Sequence, residues 1–125
     1  MNEAYVTTKL KEALIDEGFE VWKVSDRFNA SRPDLLMFRE GMTVAIEVKI
    51  FPNKTTLLQD KTLSILTSKK IPSFIVTYNI KTKEFITEYI GSNSSPTILQ
   101  KNETIKWIIT KSKLHYLNIN HQLSI

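Results

Sequence analysis

The apolar residues before Gly18 recur at intervals of three and four positions. They are Val6, Leu10, Ala13 and Leu14. Because residues at this spacing lie on one side of a helix, the pattern predicts an amphipathic helix from Glu3 to Glu17, which Gly18 would end.

Three segments rich in β-forming residues follow this helix. They span residues 19–25, 34–39 and 43–50. The polar stretch 25–32 separates the first from the second, and a turn around Gly41 would let the second and third pair as a hairpin. Residues two apart in a strand point to the same face, so Glu47 and Lys49 would project together.

A second helix is predicted after Pro52 and Asn53, which break the third strand. It runs from about Thr55 to Lys69, and Thr55 or Thr56 is available as its cap. The residues predicted for its apolar face are Leu58, Ile65 and Leu66.

Two more strands are predicted at 73–78 and 84–89, joined by a turn at 79–83. The order is then a helix, three strands, a helix and two strands. This order is typical of an α/β fold in which helices cover the faces of a mixed sheet.

The chain after the linker-like segment 91–96 is less regular. Asn102 and Glu103 could cap a short helix, and the alternation in 114–119 favours a strand. The apolar residues assigned to that helix are Ile105, Trp107, Ile108 and Ile109.

The length of the chain predicts one domain, because 125 residues suffice for one core and are too few for two. We expect this domain to span 1–125, with a core at 1–90 and a C-terminal extension at 97–125. The extension would pack on the sheet or form a dimer contact.

Candidate chemistry is concentrated on the predicted hairpin. Asp34 opens one of its strands, and Glu47 and Lys49 share a face of the other, so folding back would place Asp34 beside Glu47. Two close carboxylates repel each other unless a cation lies between them. Oxygen ligands favour Mg²⁺ or Mn²⁺, and the chain has no cysteine for a thiolate site.

Plainer explanations exist for each of these residues. Asp34 follows a proline and could stabilise a turn, and Glu47 with Lys49 could form the solvated face of an edge strand. However, Glu47 stands in the apolar run 44–50, where a carboxylate is expected to be at least partly buried. A buried charge requires a partner or a metal, which favours the chemical interpretation.

The residues Pro33-Asp34, Glu47-Val48-Lys49 and Gln59, in this order, resemble the motif of the PD-(D/E)xK nuclease superfamily. Within it they are similar to the Holliday junction resolvase-like and VRR-NUC nucleases, which are small viral or archaeal enzymes. The resemblance covers about the first 80 residues. It implies a restriction-endonuclease-like α/β fold with an αβββαβ core and a mixed central sheet.

The resemblance also implies a metal site. Asp34, Glu47 and the Val48 carbonyl would bind one Mg²⁺, for which Mn²⁺ would substitute. Glu3 on the first helix would reach this metal, a second ion or a water. Without the resemblance, Glu3 is explained by the favourable interaction of an acid with the start of a helix.

Two further catalytic roles follow from the same resemblance. Lys49 would orient or help deprotonate the attacking water, and Gln59 on the second helix would face the site. Gln59 could otherwise be a polar surface residue. The implied reaction is in-line hydrolysis of a phosphodiester that leaves a 5′-phosphate and a 3′-hydroxyl.

The charge of the chain favours a polyanionic partner, because 17 basic residues exceed 13 acidic ones and the net charge is +4. Solvated surface charge is the alternative explanation. The expected DNA contacts are Lys23, Arg27, Arg32, Lys54 and Lys61. Neither His115 nor His121 has a ligand spacing, and both are expected to be structural or exposed.

Location and substrate are predicted less directly. No stretch is apolar enough to span a membrane and no leader precedes the first helix, so we expect a cytoplasmic protein, with a virus or a mobile element as one candidate source. No sequence-reading module is present, which favours branched DNA cut by a homodimer. The alternatives are a general single-strand or duplex nuclease and a binding module without turnover.

Overall fold

The computed structural model describes residues 2–25, 31–92 and 95–123. Among them the chain forms three helices and six strands, and none of these helices is long and apolar enough to cross a membrane. In chain order the elements are α1 (Glu3–Asp16), β1 (Glu20–Lys23), β2 (Leu35–Arg39), β3 (Met42–Ile50), α2 (Leu57–Ser68), β4 (Ser73–Asn79), β5 (Glu84–Tyr89), β6 (Thr97–Leu99) and α3 (Lys101–Leu123).

The strands form one mixed sheet in the order β1-β2-β3-β4-β5-β6. Only β3 and β4 pair in parallel, and the other neighbours are antiparallel. A parallel pair requires a crossover, and α2 supplies it. The predicted mixed sheet with flanking helices is confirmed.

The main core lies on one side of the sheet, here called the helical face. On β3 this face carries the fully buried Val44, Ile46 and Val48. Helices α1 and α3 pack against it through apolar side chains such as Leu10 and Ile108, which are also fully buried. The opposite side, which carries Glu47 and Lys49, is here called the cleft face.

Helix α1 begins close to the predicted residue because Asn2 caps it, and the Asn2 side chain accepts a hydrogen bond of 2.9 Å from the Tyr5 N–H. Its four predicted apolar positions point to the sheet, with Leu10 and Leu14 almost completely buried. The position of α1 fixes where its first turn, including Glu3, meets the ends of the strands.

Helix α2 is capped by Thr56, and Gln59 completes a capping box with it. The prediction of its apolar face was wrong in part. Leu58 and Ile65 are at least half exposed, whereas Leu63 is buried. The reason is that α2 covers a polar part of the cleft face. Its narrow contact stripe contains Gln59 and Leu63, one turn apart.

The C-terminal part differs most from the prediction. Residues 114–119 were expected to form a strand, but they belong to the long helix α3, and the edge strand β6 was not predicted. The buried side chains of α3 recur at helical spacing, as Ile105, Ile108 and Ser112 show. Leu114 and Leu117, which suggested alternation, are exposed.

The start of α3 also differs from the prediction. The helix begins at Lys101, and the Glu103 side chain accepts a hydrogen bond of 3.1 Å from the Gln100 N–H, so Asn102 is not the cap. The helix packs along the helical face of the sheet.

Candidate active site

The pairing of β2 with β3 brings Asp34 to Glu47. Leu35 pairs with Ile46 in antiparallel register, so the residue before Leu35 lies beside the residue after Ile46. Two hydrogen bonds hold the Asp34 carboxylate: the Val48 N–H donates to Oδ2 at 2.7 Å and Ser25 Oγ donates to Oδ1 at 2.8 Å. The Val48 backbone and the Ser25 side chain together therefore fix the position of the Asp34 carboxylate.

Glu3 joins this pair from α1. One carboxylate oxygen each of Glu3, Asp34 and Glu47 lies within 4.8 Å of the other two. Burial raises the pKa of Glu3, the nearby Lys49 charge lowers it, and the Asp34 charge raises it again. This acid therefore interacts with the strand carboxylates as well as with the start of its own helix.

Glu47 is the most constrained group of the three. It is only 1% exposed, its Oε1 accepts a hydrogen bond of 3.3 Å from Gln59 Nε2, and its Oε2 has no hydrogen-bond partner. Burial, followed by the closeness of Asp34, raises the pKa of Glu47 to about 9. Without a cation this carboxyl group is protonated at neutral pH.

Lys49 projects from β3 on the same face, two residues after Glu47, and is only 8% exposed. Among the described residues the only ion pair at 4.0 Å or less is Lys9 with Glu12, far along α1 from this site. The Lys49 ammonium is therefore buried close to carboxylates without a direct ion pair. Its charge partly offsets the rise in the Glu47 pKa.

These residues fit a divalent cation. Three converging carboxylates offer hard oxygen ligands, and the buried Glu47 Oε2 has no hydrogen-bond partner in the part of the chain that the structure describes. A cation would compensate the negative charge that now favours the protonated form of Glu47. The donor set suits Mg²⁺ or Mn²⁺, whereas structural zinc sites favour sulfur and nitrogen ligands.

A cleft of about 710 Å³ opens beside Lys49 on the cleft face. Its walls come from the segment after β3 and from the adjoining strands β4 and β5. Examples of lining residues are Lys49, Phe51, Lys54, Thr77 and Glu88. Lys49 is the member of the candidate site that lines this cleft.

Of the expected DNA contacts, Lys54 lines the cleft. Lys23, Arg32 and Lys61 are exposed and do not belong to its described lining. Arg27 lies outside the described residues. Lys23 pairs with Leu35 on β2, so it lies on the helical side of the sheet, opposite the face of Glu47.

Sequence reasoning did not assign a supporting role to Ser25. It precedes Asp34 by nine residues, and no spacing rule connects a loop serine to a strand carboxylate at that distance. His115 is structural, as expected, because its ring bonds the Tyr89 hydroxyl at 3.1 Å and the Lys70 carbonyl at 2.8 Å. The side chain of His121 lies outside the described residues.

Comparison with known proteins identifies a fold relative. No family model and no curated protein matches the chain. A solved structure of Hjc, a Holliday junction resolvase from the archaeal hyperthermophile Archaeoglobus fulgidus, is similar, with a TM-score of 0.54 and 13% sequence identity. The match covers 78% of this chain and 86% of that chain, and it confirms the expected restriction-endonuclease-like fold.

Proposed function

We propose that this protein is a metal-dependent endonuclease that hydrolyses phosphodiester bonds in DNA. The observation that carries the proposal is the convergence of Glu3, Asp34 and Glu47 beside the buried Lys49. The similarity to a Holliday junction resolvase supports it at the level of fold. A structural ion pair would not leave a buried carboxylate oxygen without a partner.

In this proposal Asp34, Glu47 and Glu3 hold Mg²⁺ or Mn²⁺, and the Val48 carbonyl, next to Glu47 on β3, is a further ligand. The metal would supply positive charge that stabilises the negative charge developing on the phosphate. Ser25 and the Val48 N–H keep Asp34 oriented through their two hydrogen bonds.

Lys49 and Gln59 act on the other reactants. The Lys49 ammonium, held on the cleft wall, donates hydrogen bonds to the attacking water or to a phosphate oxygen. The Gln59 amide already donates to Glu47 Oε1, which keeps that carboxylate in place. It is therefore a positioning residue that can also reach a bound phosphate.

For the substrate we propose branched DNA, cut by a homodimer with one active site on each of two opposed strands. The net charge of +4 suits a polyanion that is recognised through its backbone. We further propose that residues 1–125 form one domain that acts inside the cell. General cleavage of single strands or duplex is the second candidate.

Cleavage assays test this proposal. Purified protein with Mg²⁺ is incubated with a labelled four-way junction, a flap, a linear duplex and a single strand. Asp34→Ala and Glu47→Ala should abolish cleavage, and Lys49→Ala should slow it about 10²- to 10⁴-fold, the range typical of a lost proton-transfer group. All three should still bind DNA in EDTA.

Glu12→Ala is the matched control, because Glu12 is an exposed acid on α1 outside the carboxylate cluster. It should cleave like the wild type. Normal turnover by Glu47→Ala would contradict the proposal. Nicks confined to the junction would favour a resolvase, and cleavage of plain duplex or single strands would favour the second candidate.

A binding module with the same fold is the remaining alternative, and metal binding separates it from an enzyme. Mn²⁺ should raise the melting temperature of the wild type, because a ligand that binds only the folded state stabilises it. The rise should disappear in Asp34→Ala. If neither Mg²⁺ nor Mn²⁺ raises the melting temperature of the wild type, the binding module is favoured.

A further inference from the structure

A second cavity, of about 290 Å³, lies at the same end of the sheet as the carboxylates but on the helical face. It opens between α1, the β4–β5 hairpin and the first turn of α3. Its lining residues are Tyr5, Val6, Lys9, Leu10, Tyr78, Lys83, Phe85 and Lys101. Because β3 and β4 are parallel and Ile50 pairs with Tyr78, this end is the one to which Glu47 and Lys49 belong.

The cavity is strongly basic. Lys9, Lys83 and Lys101 line it, and none of its described lining residues is acidic. Lys9 lies 3.4 Å from Glu12, but both side chains are about half exposed, so this pair neutralises little charge. Lys101 stands in the first turn of α3, where the helix dipole disfavours a cation. An anion in the cavity would relieve this repulsion.

The backbone holds one of these lysines in an unfavourable conformation. Lys83 has a φ of +59°, a region that suits glycine. The turn before it is fixed, since the Lys83 N–H donates to the Asn79 carbonyl at 2.8 Å and the Asn79 side chain accepts from the Lys81 N–H at 3.0 Å. A lysine with this φ therefore lies at the cavity wall.

The aromatic residues of the cavity offer a surface for a flat group. Tyr5 is 48% exposed, and its ring stacks on no other ring among the described residues. The Lys9 ammonium lies 5.4 Å from the centre of that ring. Tyr78 and Phe85, with ring centres 4.9 Å apart, form an apolar floor.

A half-exposed aromatic ring combined with several ammonium groups matches the two halves of a nucleotide, because a base stacks on the ring and a phosphate binds the cations. The base must be unpaired to reach the ring, since the faces of bases inside a duplex are covered by their neighbours. We infer that this cavity binds an unpaired nucleotide of the DNA substrate, with its base on Tyr5 and its phosphates at Lys83 and Lys101.

The location of the cavity agrees with a strand that continues from the active site. Glu3 and Tyr5 are two residues apart on α1 and therefore point to roughly opposite sides of the helix. A helix with its side chains is about 10–12 Å across, a distance that a few nucleotides of a single strand can span. The inference rests on the proposed function in that it takes this strand to be the nuclease substrate.

Binding measurements in EDTA test the inference without cleavage. The probe is a labelled 12-nucleotide single strand that carries 2-aminopurine, with a 12-base-pair duplex beside it. Tyr5→Leu should weaken single-strand binding by about fivefold to a hundredfold and reduce the quenching of 2-aminopurine, whereas Tyr5→Phe should preserve both. Duplex binding should hardly respond to Tyr5→Leu.

The lysines have matched controls on the same elements. Lys83→Gln and Lys101→Gln should each lower the slope of log affinity against log salt by about 0.7 for the single strand. Lys81→Gln, in the same turn, and Lys106→Gln, on α3, remove exposed lysines outside the cavity lining and should leave the slope unchanged. All of these side chains are at the surface or in the open cavity, so the variants should fold.

The outcomes separate this inference from the proposed function. Single-strand affinity that is the same in wild type, Tyr5→Leu and Lys83→Gln would overturn the inference, even if the wild type cleaves DNA. If the wild type never cleaves with Mg²⁺ but Tyr5→Leu still weakens single-strand binding, the proposed function is overturned and the cavity remains a nucleotide site. Equal effects of Lys83→Gln and Lys81→Gln would reduce the lysines to general surface charge and overturn their assigned role.

Discussion

Glu47 shows how burial and charge act on a single side chain. Its side chain is almost completely removed from water, and Asp34 and Glu3 add negative charge nearby. Both effects favour the protonated form, and Lys49 compensates only partly, so the pKa is about 9. The folded protein therefore retains a proton on Glu47 at a pH where an unfolded chain has lost it.

This retention predicts a pH dependence of stability in the absence of metal. Between about pH 4.5, the ordinary value for Glu, and about pH 9, the unfolded chain binds fewer protons at this position than the folded one. The free energy of unfolding should therefore fall as pH rises, by up to about 1.4 kcal/mol per pH unit. Glu47→Gln should lose this dependence and be more stable than the wild type at pH 8.

Urea unfolding in EDTA at several values between pH 5 and 8.5 measures this effect. Glu12→Gln, an exposed acid on α1, is the control and should follow the wild type. Parallel curves for wild type and Glu47→Gln would show that Glu47 is ionised in the metal-free protein and that the compensation comes from Lys49.

The sequence predicted the placement of Asp34, Glu47 and Lys49 better than the hydrogen bonds that surround them. A two-residue alternation places Glu47 and Lys49 on one face of any strand, and a hairpin turn brings Asp34 to them whatever the rest of the fold. The hydrogen bond from Ser25 to Asp34 depends on how the loop after β1 folds. Local periodicity does not contain that information.

At the scale of elements, α3 completes the sheet as well as covering it. Strand β3 begins three residues before its first pairing with β4, at Ala45, so among the described residues one side of Thr43 has no strand beside it. The Tyr116 hydroxyl takes that place, since it accepts from the Thr43 N–H at 2.9 Å and donates to the Thr43 carbonyl at 2.8 Å. One side chain of a helix thus satisfies two backbone groups of a strand.

Tyr116→Phe should therefore destabilise the protein by about 1–3 kcal/mol, because it leaves a partly buried N–H and carbonyl without partners. Hydrogen exchange at the Thr43 amide should accelerate in the variant, which is a local effect that general loosening would not produce. Tyr5→Phe removes a hydroxyl from a half-exposed ring that has no hydrogen bond, and it should not change the free energy of unfolding. Equal losses in both variants would contradict the role given to Tyr116.

The same contacts explain why the sequence predicted only the first part of α3 as a helix. His115 and Tyr116 lie in a segment that alternates apolar and polar residues, which favours a strand. In the structure both side chains form hydrogen bonds, Tyr116 with the sheet and His115 with the loop after α2. The exposed Leu114 and Leu117 contribute nothing to the core. Hydrophobic periodicity fails where a helix packs through hydrogen bonds.

At the scale of the molecule, the parallel pair β3–β4 places the carboxylates, the cleft and the basic cavity at one end of the sheet. The order of elements up to β5 could be predicted, because each has its own periodicity and turn signal. The position of α3 across the helical face could not, because it depends on contacts between residues 73 apart, as in Thr43 and Tyr116. This arrangement contains the one cluster of three carboxylates found among the described residues, which is the proposed active site.

A single site per chain has a consequence for the proposed resolution of branched DNA. Two opposed strands must be cut, so a homodimer should make paired nicks, and a dimer with one inactive site should make only one. Differently tagged wild-type and Glu47→Ala chains, purified as mixed dimers, would be tested on a plasmid with an extruded cruciform. Wild type should yield linear plasmid and the mixed dimer should stop at nicked circles, because the second strand faces a site without its Glu47 carboxylate. Linear plasmid from the mixed dimer would mean that one site cuts both strands in turn, and failure to isolate any mixed dimer would favour a monomeric nuclease.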